Sequence, residues 1–255
     1  MKTPEIIKIQ NTKKDNTTSK LSSTKHILFA TDRLPSRNAD YPTRYSSEQS
    51  TFVRIGQAQV NHLHQSSGAK KKPITLSNVK EIGVLKSTNI YGELASLDDD
   101  TSSVIADDKF IKLLNAKLKK TKSKDVVIFI NGYRTLFENP LLVSAEFSEY
   151  LDDHGVVMAY SWATKTKLFS YLRDVETTKI SSAKLRRFLL YLAQNSDAEN
   201  IHIVAHSAGT RVAIDALHQL ALSSPNASRK TLQQKFKIGQ VRAGPTFSFC
   251  CNPCL

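Results

Sequence analysis

The stretch NIHIVAHSAGT, residues 200–210, predicts the fold of this chain. An apolar strand at 201–205 runs directly into a serine between small residues, and helical spacing begins at once after it. The segment AHSAG at 205–209 has the small-x-Ser-x-small form of a nucleophile elbow. Such a turn lifts the oxygen of Ser207 clear of the sheet. It also leaves the N–H of Ala208 at the positive end of a helix, where an oxyanion would be stabilised.

The chain on either side of this stretch alternates apolar runs with amphipathic helical patterns. Further strands are predicted at 126–130, 156–161 and 235–241, and helices at 107–118, 141–153 and from Ser181 or Ser182 to 192. This alternation predicts an α/β fold with a mostly parallel sheet and helices on both faces. Toward the N-terminus the pattern is weaker. It predicts a strand at 26–30, loops with short strands near 52–55 and 59–60 within 34–72, and a strand at 81–85.

Composition sets bounds on the class of protein. The chain has 255 residues, of which 40% are hydrophobic and 23% charged, which is ordinary for a globular domain. The formal net charge of +13 permits nucleic acid or an anionic membrane as a partner. However, the lysine clusters lack interleaved aromatic residues and are interpreted as solvated helix ends and loops. No apolar run is as long as a membrane span, and the first twenty residues lack a secretory pattern, so a cytoplasmic location is expected.

The two ends of the chain differ from its middle. Residues 1–24 are rich in Lys, Ser, Thr and Asn and are predicted to be a flexible basic leader, followed by the α/β domain at 25–242. Residues 243–255 form an uncharged tail that holds all three cysteines, Cys250, Cys251 and Cys254. Cysteines confined to one tail cannot build a disulfide framework, and they lack the companion ligands of a zinc site. We therefore expect no metal and no cofactor.

Five motifs, in order, resemble those of an uncharacterised bacterial branch of the α/β-hydrolase superfamily, esterase- or lipase-like with a domain of unknown function. These motifs are ILFATDR at 27–33, VIFINGYR at 127–134, YSW at 160–162, Tyr171 with Asp174, and AHSAG at 205–209. The resemblance spans about residues 26 to 241. It implies an α/β-hydrolase fold and a serine nucleophile that acts on small acyl esters.

The resemblance also implies a set of site residues. The backbone N–H groups of Tyr133 and Ala208 would form the oxyanion hole, and the binding site would include Asn131, Gly132, Arg134 and His206. In the resembling proteins the turn usually reads His-Gly-Tyr-Asn, whereas here it reads NGYR at 131–134. Arg134 would then bring a cation to the pocket and change substrate preference. The alternative is that Asn131 and Arg134 only satisfy hydrogen bonds within the turn.

The resemblance implies that an acid and then a histidine follow the nucleophile in the chain. After Ser207 the sequence has one acidic residue, Asp215, and one histidine, His218. Both fall on the helix that the serine opens. Eleven residues of helix put His218 roughly 16 Å along the axis, beyond hydrogen-bonding reach. We therefore expect the triad acid and histidine to be missing. The base would then have to come from His62, from His64 or from another chain.

Two explanations of the tail stay open: a truncated or frameshifted product, or a genuine short variant. The function predicted first is a serine hydrolase of the carboxylic-ester or lipase-like type, impaired by the loss of its acid and histidine. The alternative is a catalytically inactive hydrolase-like remnant or a binding module on the same scaffold. A third hypothesis, suggested by charge alone, is a binder of nucleic acid or of a membrane surface.

Overall fold

The computed structural model describes residues 21–37, 44–63, 74–89, 107–164 and 171–244. The first twenty residues, His64 and the cysteine-containing tail beyond Gly244 lie outside these ranges, and so do the predictions made for them. The described structure begins within a strand at Leu21, so residues 21–24 of the predicted leader belong to that strand.

The described strands form one seven-stranded sheet in the order β3-β2-β1-β5-β4-β6-β7. The elements in chain order are β1 (Leu21–Pro35), β2 (Tyr45–Leu63), β3 (Ile74–Leu85), α1 (Asp107–Leu118), β4 (Asp125–Ile130), α2 (Glu138–Tyr150), β5 (Val156–Ser161), α3 (Tyr171–Asn195), β6 (Asn200–His206), α4 (Gly209–Leu222), α5 (Arg229–Phe236) and β7 (Ile238–Gly244). Strands β1, β5, β4, β6 and β7 run parallel to one another, and β1, β2 and β3 form an antiparallel meander.

The parallel half of the sheet confirms the predicted fold class. The four segments predicted as neighbouring parallel strands are β4, β5, β6 and β7, adjacent in the order β5-β4-β6-β7. The bounds of the last strand were wrong, because Lys235 and Phe236 end helix α5 instead. Lys237 then takes a left-handed conformation (φ 54°), which ends that helix and lets β7 begin at Ile238.

The N-terminal half differs more from the prediction. Residues 45–63, expected to be loops with short strands, form the 19-residue strand β2. Helix α3 begins at Tyr171, about ten residues before the predicted start at Ser181 or Ser182. Those two serines do not cap a helix. Ser182 Oγ donates to the carbonyl of Thr178 one turn earlier, and Ser181 Oγ donates to Asp32.

The hydrophobic core lies on both faces of the sheet. Helices α1, α3 and α4 cover one face, where their side chains pack on alternate residues of β4 and β6. Helix α2 covers the other face, where Phe137, Leu141 and Ala145 contact strands β1, β2 and β5. Because β4 is buried on both faces, it is a continuous apolar run, as expected for a central parallel strand. None of the helices within the described ranges is both long and apolar enough to cross a bilayer.

Gly56 lies at a position in β2 that has no room for a side chain. A Cβ there would lie 2.5 Å from the carbonyl oxygen of Lys80 and against the ring of Phe29. We expect Gly56→Ala to lower the free energy of unfolding by about 2 kcal/mol, because both neighbours are held in the sheet. Chemical denaturation would measure this. The half-buried Gln57→Val should change stability by less than about 0.5 kcal/mol. If the two substitutions lowered the free energy of unfolding equally, the close contact of Gly56 with Lys80 and Phe29 would not be the cause.

Candidate active site

Ser207 occupies a tight turn between β6 and α4. Its φ is 50°, a left-handed conformation that residues other than glycine rarely adopt, and its side chain is exposed. The backbone N–H of Ser207 donates to the carbonyl of Gly244 at 2.9 Å, which ties the turn to β7. Its own carbonyl accepts from Thr210 N–H at 3.0 Å in the first turn of α4. The sequence thus folds here into the strained strand-turn-helix geometry of a nucleophile elbow.

The small residues around Ser207 are required by the neighbouring strand. A Cβ on Gly209 would lie 3.0 Å from the carbonyl oxygen of Ile130 and closer still to that of Asn131. Glycine therefore lets the first turn of α4 rest on the end of β4. Ala205, two residues before the serine, is fully buried on the face that α4 covers.

The turn after β4 lies directly against the elbow. A Cβ on Gly132 would lie 3.1 Å from Ser207 Cβ and 2.7 Å from His206 Nδ1. Tyr133, whose N–H the sequence analysis assigned to the oxyanion hole, follows Gly132 immediately and packs partly on the main core. The structure thus brings Gly132, Tyr133, His206, Ser207 and Ala208 together at the carboxyl ends of β4 and β6.

Asn131 and Arg134 occupy different surroundings in this turn. Asn131 is 1% exposed; its side chain donates to Gly132 O at 2.9 Å and accepts from Trp162 N–H at 3.2 Å. The Trp162 indole donates to Asn131 O at 2.7 Å. The bond to Gly132 lies within the turn, whereas the bonds with Trp162 fasten the end of β4 to the end of β5. The role of Asn131 in a binding site stays a prediction. Arg134 is exposed and has φ 55°.

A buried polar layer that sequence reasoning missed lies behind the turn. Arg33, 2% exposed at the end of β1, donates to Thr135 O at 2.7 Å and to Thr164 Oγ1 at 3.4 Å. Asp32, fully buried, accepts from Ala163 N–H at 2.6 Å and from Ser181 Oγ at 2.5 Å. Together they join the ends of β1, β4 and β5. The signal was present in the sequence, since charged residues directly follow the apolar run of β1, but no role had been assigned to them.

Three ionisable groups in or near this layer are shifted by burial. Burial lowers the pKa of Lys184, whose ammonium donates to Ser50 O, while the charge of Asp32 opposes the shift. Burial also raises the pKa of Tyr160 well above its ordinary value, and Asp32 adds to it. Glu138 is 4% exposed, and neither of its side-chain oxygens accepts a hydrogen bond from another of the described residues. Burial raises its pKa, against the opposing effects of its own backbone N–H and of Arg33.

Among the described residues, no histidine forms a hydrogen bond with the Ser207 hydroxyl. His218 is exposed in the second half of α4. His202 lies near the start of β6, where its Nδ1 accepts from Gln240 N–H at 3.0 Å. His154 precedes β5, and the exposed His26 pairs with Gln59 in the sheet. His206 adjoins the serine, with its ring against Gly132.

The structure excludes His62 as the base for Ser207. His62 is 2% exposed and its Nδ1 lies 3.3 Å from Glu149 Oε1. It pairs with Ser23 near the N-terminal end of β1, whereas Ser207 follows the carboxyl end of the parallel strand β6. Four strand spacings separate β2 from β6, roughly 19 Å. Among the described residues, no group of three or more His, Cys, Asp or Glu side chains could hold a metal.

The raised pKa of Glu138 predicts a pH-dependent stability. Between the ordinary carboxyl pKa of 4.5 and the raised folded value, the folded protein retains a proton that the unfolded chain releases. The stabilising contribution of the protonated Glu138 carboxyl group is therefore complete below pH 4.5, and it is lost as pH rises through the pKa that this group has in the folded protein. We expect Glu138→Gln to be more stable than the parent at pH 7, by about 1 kcal/mol, and to lose that advantage toward pH 4. Urea denaturation across this range would measure the difference.

Glu146→Gln, a less buried substitution on the same helix, controls for the loss of one negative charge. If Glu138→Gln destabilises the protein equally at both ends of the pH range, the carboxyl group is not held protonated by burial.

Comparison with known proteins agrees with this geometry. Residues 106–241, more than half of the chain, match the model of a family described as alpha/beta hydrolase of unknown function, DUF900. No match was found among curated proteins or among solved structures. With its mostly parallel sheet and its elbow at the end of β6, the chain belongs to this α/β-hydrolase family.

Proposed function

We propose that this protein is a serine hydrolase for small carboxylic esters, with Ser207 as the nucleophile. The observation that carries the proposal is the exposed serine at φ 50°, pressed against the Gly132 turn. A serine that served only to fill a turn would need neither the strained backbone nor the exposed oxygen. Family membership supports a hydrolase-type scaffold, and the ester class follows from the resemblance of the motifs.

The proposed reaction begins with attack of Ser207 Oγ on the ester carbonyl. A bond forms from Oγ to the carbonyl carbon, the serine proton passes to a base, and the alcohol leaves as the tetrahedral intermediate collapses. The N–H groups of Tyr133 and Ala208 would stabilise the oxyanion. Ala208 immediately precedes α4, so the helix dipole adds to its effect. Water then releases the acid from the acyl-serine.

We further propose that the proton-transfer part of the machinery is impaired. The histidines of the described ranges support this, because none of them is placed like a triad base. An oxyanion site and a positioned serine can retain part of the catalysis when a triad is incomplete. The alternative, a hydrolase-like protein without activity, rests on the same observation about the histidines.

Labelling with a fluorophosphonate tests the nucleophile. We expect slow, stoichiometric labelling that is abolished in Ser207→Ala and retained in Ser223→Ala, an exposed serine at the other end of α4. Hydrolysis of p-nitrophenyl acetate should be negligible beside that of an intact triad enzyme. Labelling that persists in Ser207→Ala would overturn the assignment of the nucleophile. Rapid ester hydrolysis that depends on Ser207 would overturn the proposal that proton transfer is impaired.

Gly132→Ala tests whether the two turns work as one site. The added Cβ would lie 3.1 Å from Ser207 Cβ and 2.7 Å from His206 Nδ1, so the turn must move. We expect the labelling rate to fall by about tenfold or more, because small displacements of reacting groups are costly. Gly239→Ala is the matched control, since its Cβ would crowd the His202 ring at 2.7 Å, near the start of β6. Equal labelling rates in both variants would refute a shared oxyanion site.

A further inference from the structure

A groove with basic walls lies between α1 and α3. It encloses about 650 Å³, which is within the usual range of small-molecule sites. The polar and charged residues that line it include Ser87, Asp108, Lys112, Arg186, Arg187 and Gln194. Its apolar wall consists of Ile111, Leu190 and Tyr191. The groove therefore combines a cationic side with an apolar and aromatic side.

The charges of the groove are unbalanced. Lys112, Arg186 and Arg187 are cationic, and Asp108 is the one carboxylate among the described residues that line the groove. Within the part of the chain that the structure describes, none of the three cations forms an ion pair. An anion that enters the groove would meet an excess of positive charge. Arg186 and Arg187 are half-buried, where salt screens less than at an open surface, and Lys112 is exposed.

The two arginines also have unused donors. The Nε atoms of Arg186 and Arg187 are inaccessible to solvent and have no acceptor among the described residues. Arg187 donates through its terminal nitrogen to Ser87 O at 3.1 Å, whereas Arg186 makes no hydrogen bond within the described ranges. The terminal nitrogens of Arg186 remain accessible and have no acceptor within the described ranges, so an oxyanion in the groove can bind them.

We propose that this groove binds a small organic phosphate. Guanidinium groups match phosphate oxygens through two parallel N–H bonds, and Lys112 supplies a further positive charge. The wall of Ile111, Leu190 and Tyr191 takes the organic part of the ligand. Helix α3 leads from the carboxyl end of β5 back to the start of β6, so its C-terminal half lies away from Ser207. The site is thus separate from the elbow and does not depend on the proposed function.

Calorimetric titration of the full chain with phenyl phosphate, at constant ionic strength, tests this site. We expect one saturable site, which binds phenyl phosphate at least about threefold more tightly than inorganic phosphate because of the aromatic wall. The double variant Arg186→Gln/Arg187→Gln should bind at least about tenfold more weakly. Its melting temperature should no longer rise with phenyl phosphate, which separates loss of the site from loss of the fold.

Arg229→Gln/Lys230→Gln is the matched control, because it removes two consecutive exposed cations from another helix, α5. Binding in this control should stay within about twofold of the parent. Equal weakening in both double variants would show general charge attraction and overturn the proposal. Failure of the parent to bind, or equal affinity for the two phosphates, would overturn it as well.

Two further experiments test whether something other than a small phosphate occupies the groove. Four carboxylates, Glu93, Asp98, Asp99 and Asp100, lie in the chain between Ser87 and Asp107. The first experiment replaces these four residues by their neutral amides. If only that variant binds phenyl phosphate, the chain's own acidic residues occupy the groove in the parent and the proposal fails. It also fails if the parent binds vesicles of phosphatidylcholine and phosphatidic acid, dependent on Arg186 and Arg187, but does not bind phenyl phosphate.

Discussion

The contact between the first turn of α4 and the end of β4 is the constraint on which the candidate site depends. Backbone meets backbone there, because Gly209 has no side chain to hold the carbonyls of Ile130 and Asn131 away. The same approach presses Gly132 against Ser207. A larger residue at Gly209 or Gly132 would separate β4 from the elbow, and the two turns that could share an oxyanion would no longer touch.

Buried charged residues of β1 stabilise the part of the chain that makes this contact. Arg33 and Asp32 reach the ends of β4 and β5 from β1, and their hydrogen bonds replace the water that each group gives up. Glu138 lacks such compensation, and burial raises its pKa instead. The turn after β4 is therefore fixed by a set of interactions that spans three strands, so its position depends on more than its own sequence.

Because these interactions join residues that are far apart in the chain, only part of the structure could be predicted from the sequence. Strands β4, β5 and β6 were predictable because a buried parallel strand is a local apolar run, and the elbow because its small residues are contiguous. Strand β2 was not, because its buried polar groups have partners outside the strand, as Arg54 does in Glu81. Ser181, interpreted as a helix cap, donates to Asp32, which is 149 residues away in the chain. No local pattern contains that bond.

The strain at Ser207 bears on the choice between a nucleophile and a structural serine. A left-handed conformation in a residue other than glycine costs on the order of 1 kcal/mol or more. Glycine would adopt the same φ of 50° without that cost. The strain persists because the bond to Gly244 and the close packing at Gly209 fix the turn. What the strained serine provides and glycine could not is an exposed hydroxyl at the carboxyl end of β6, beside the turn that follows β4.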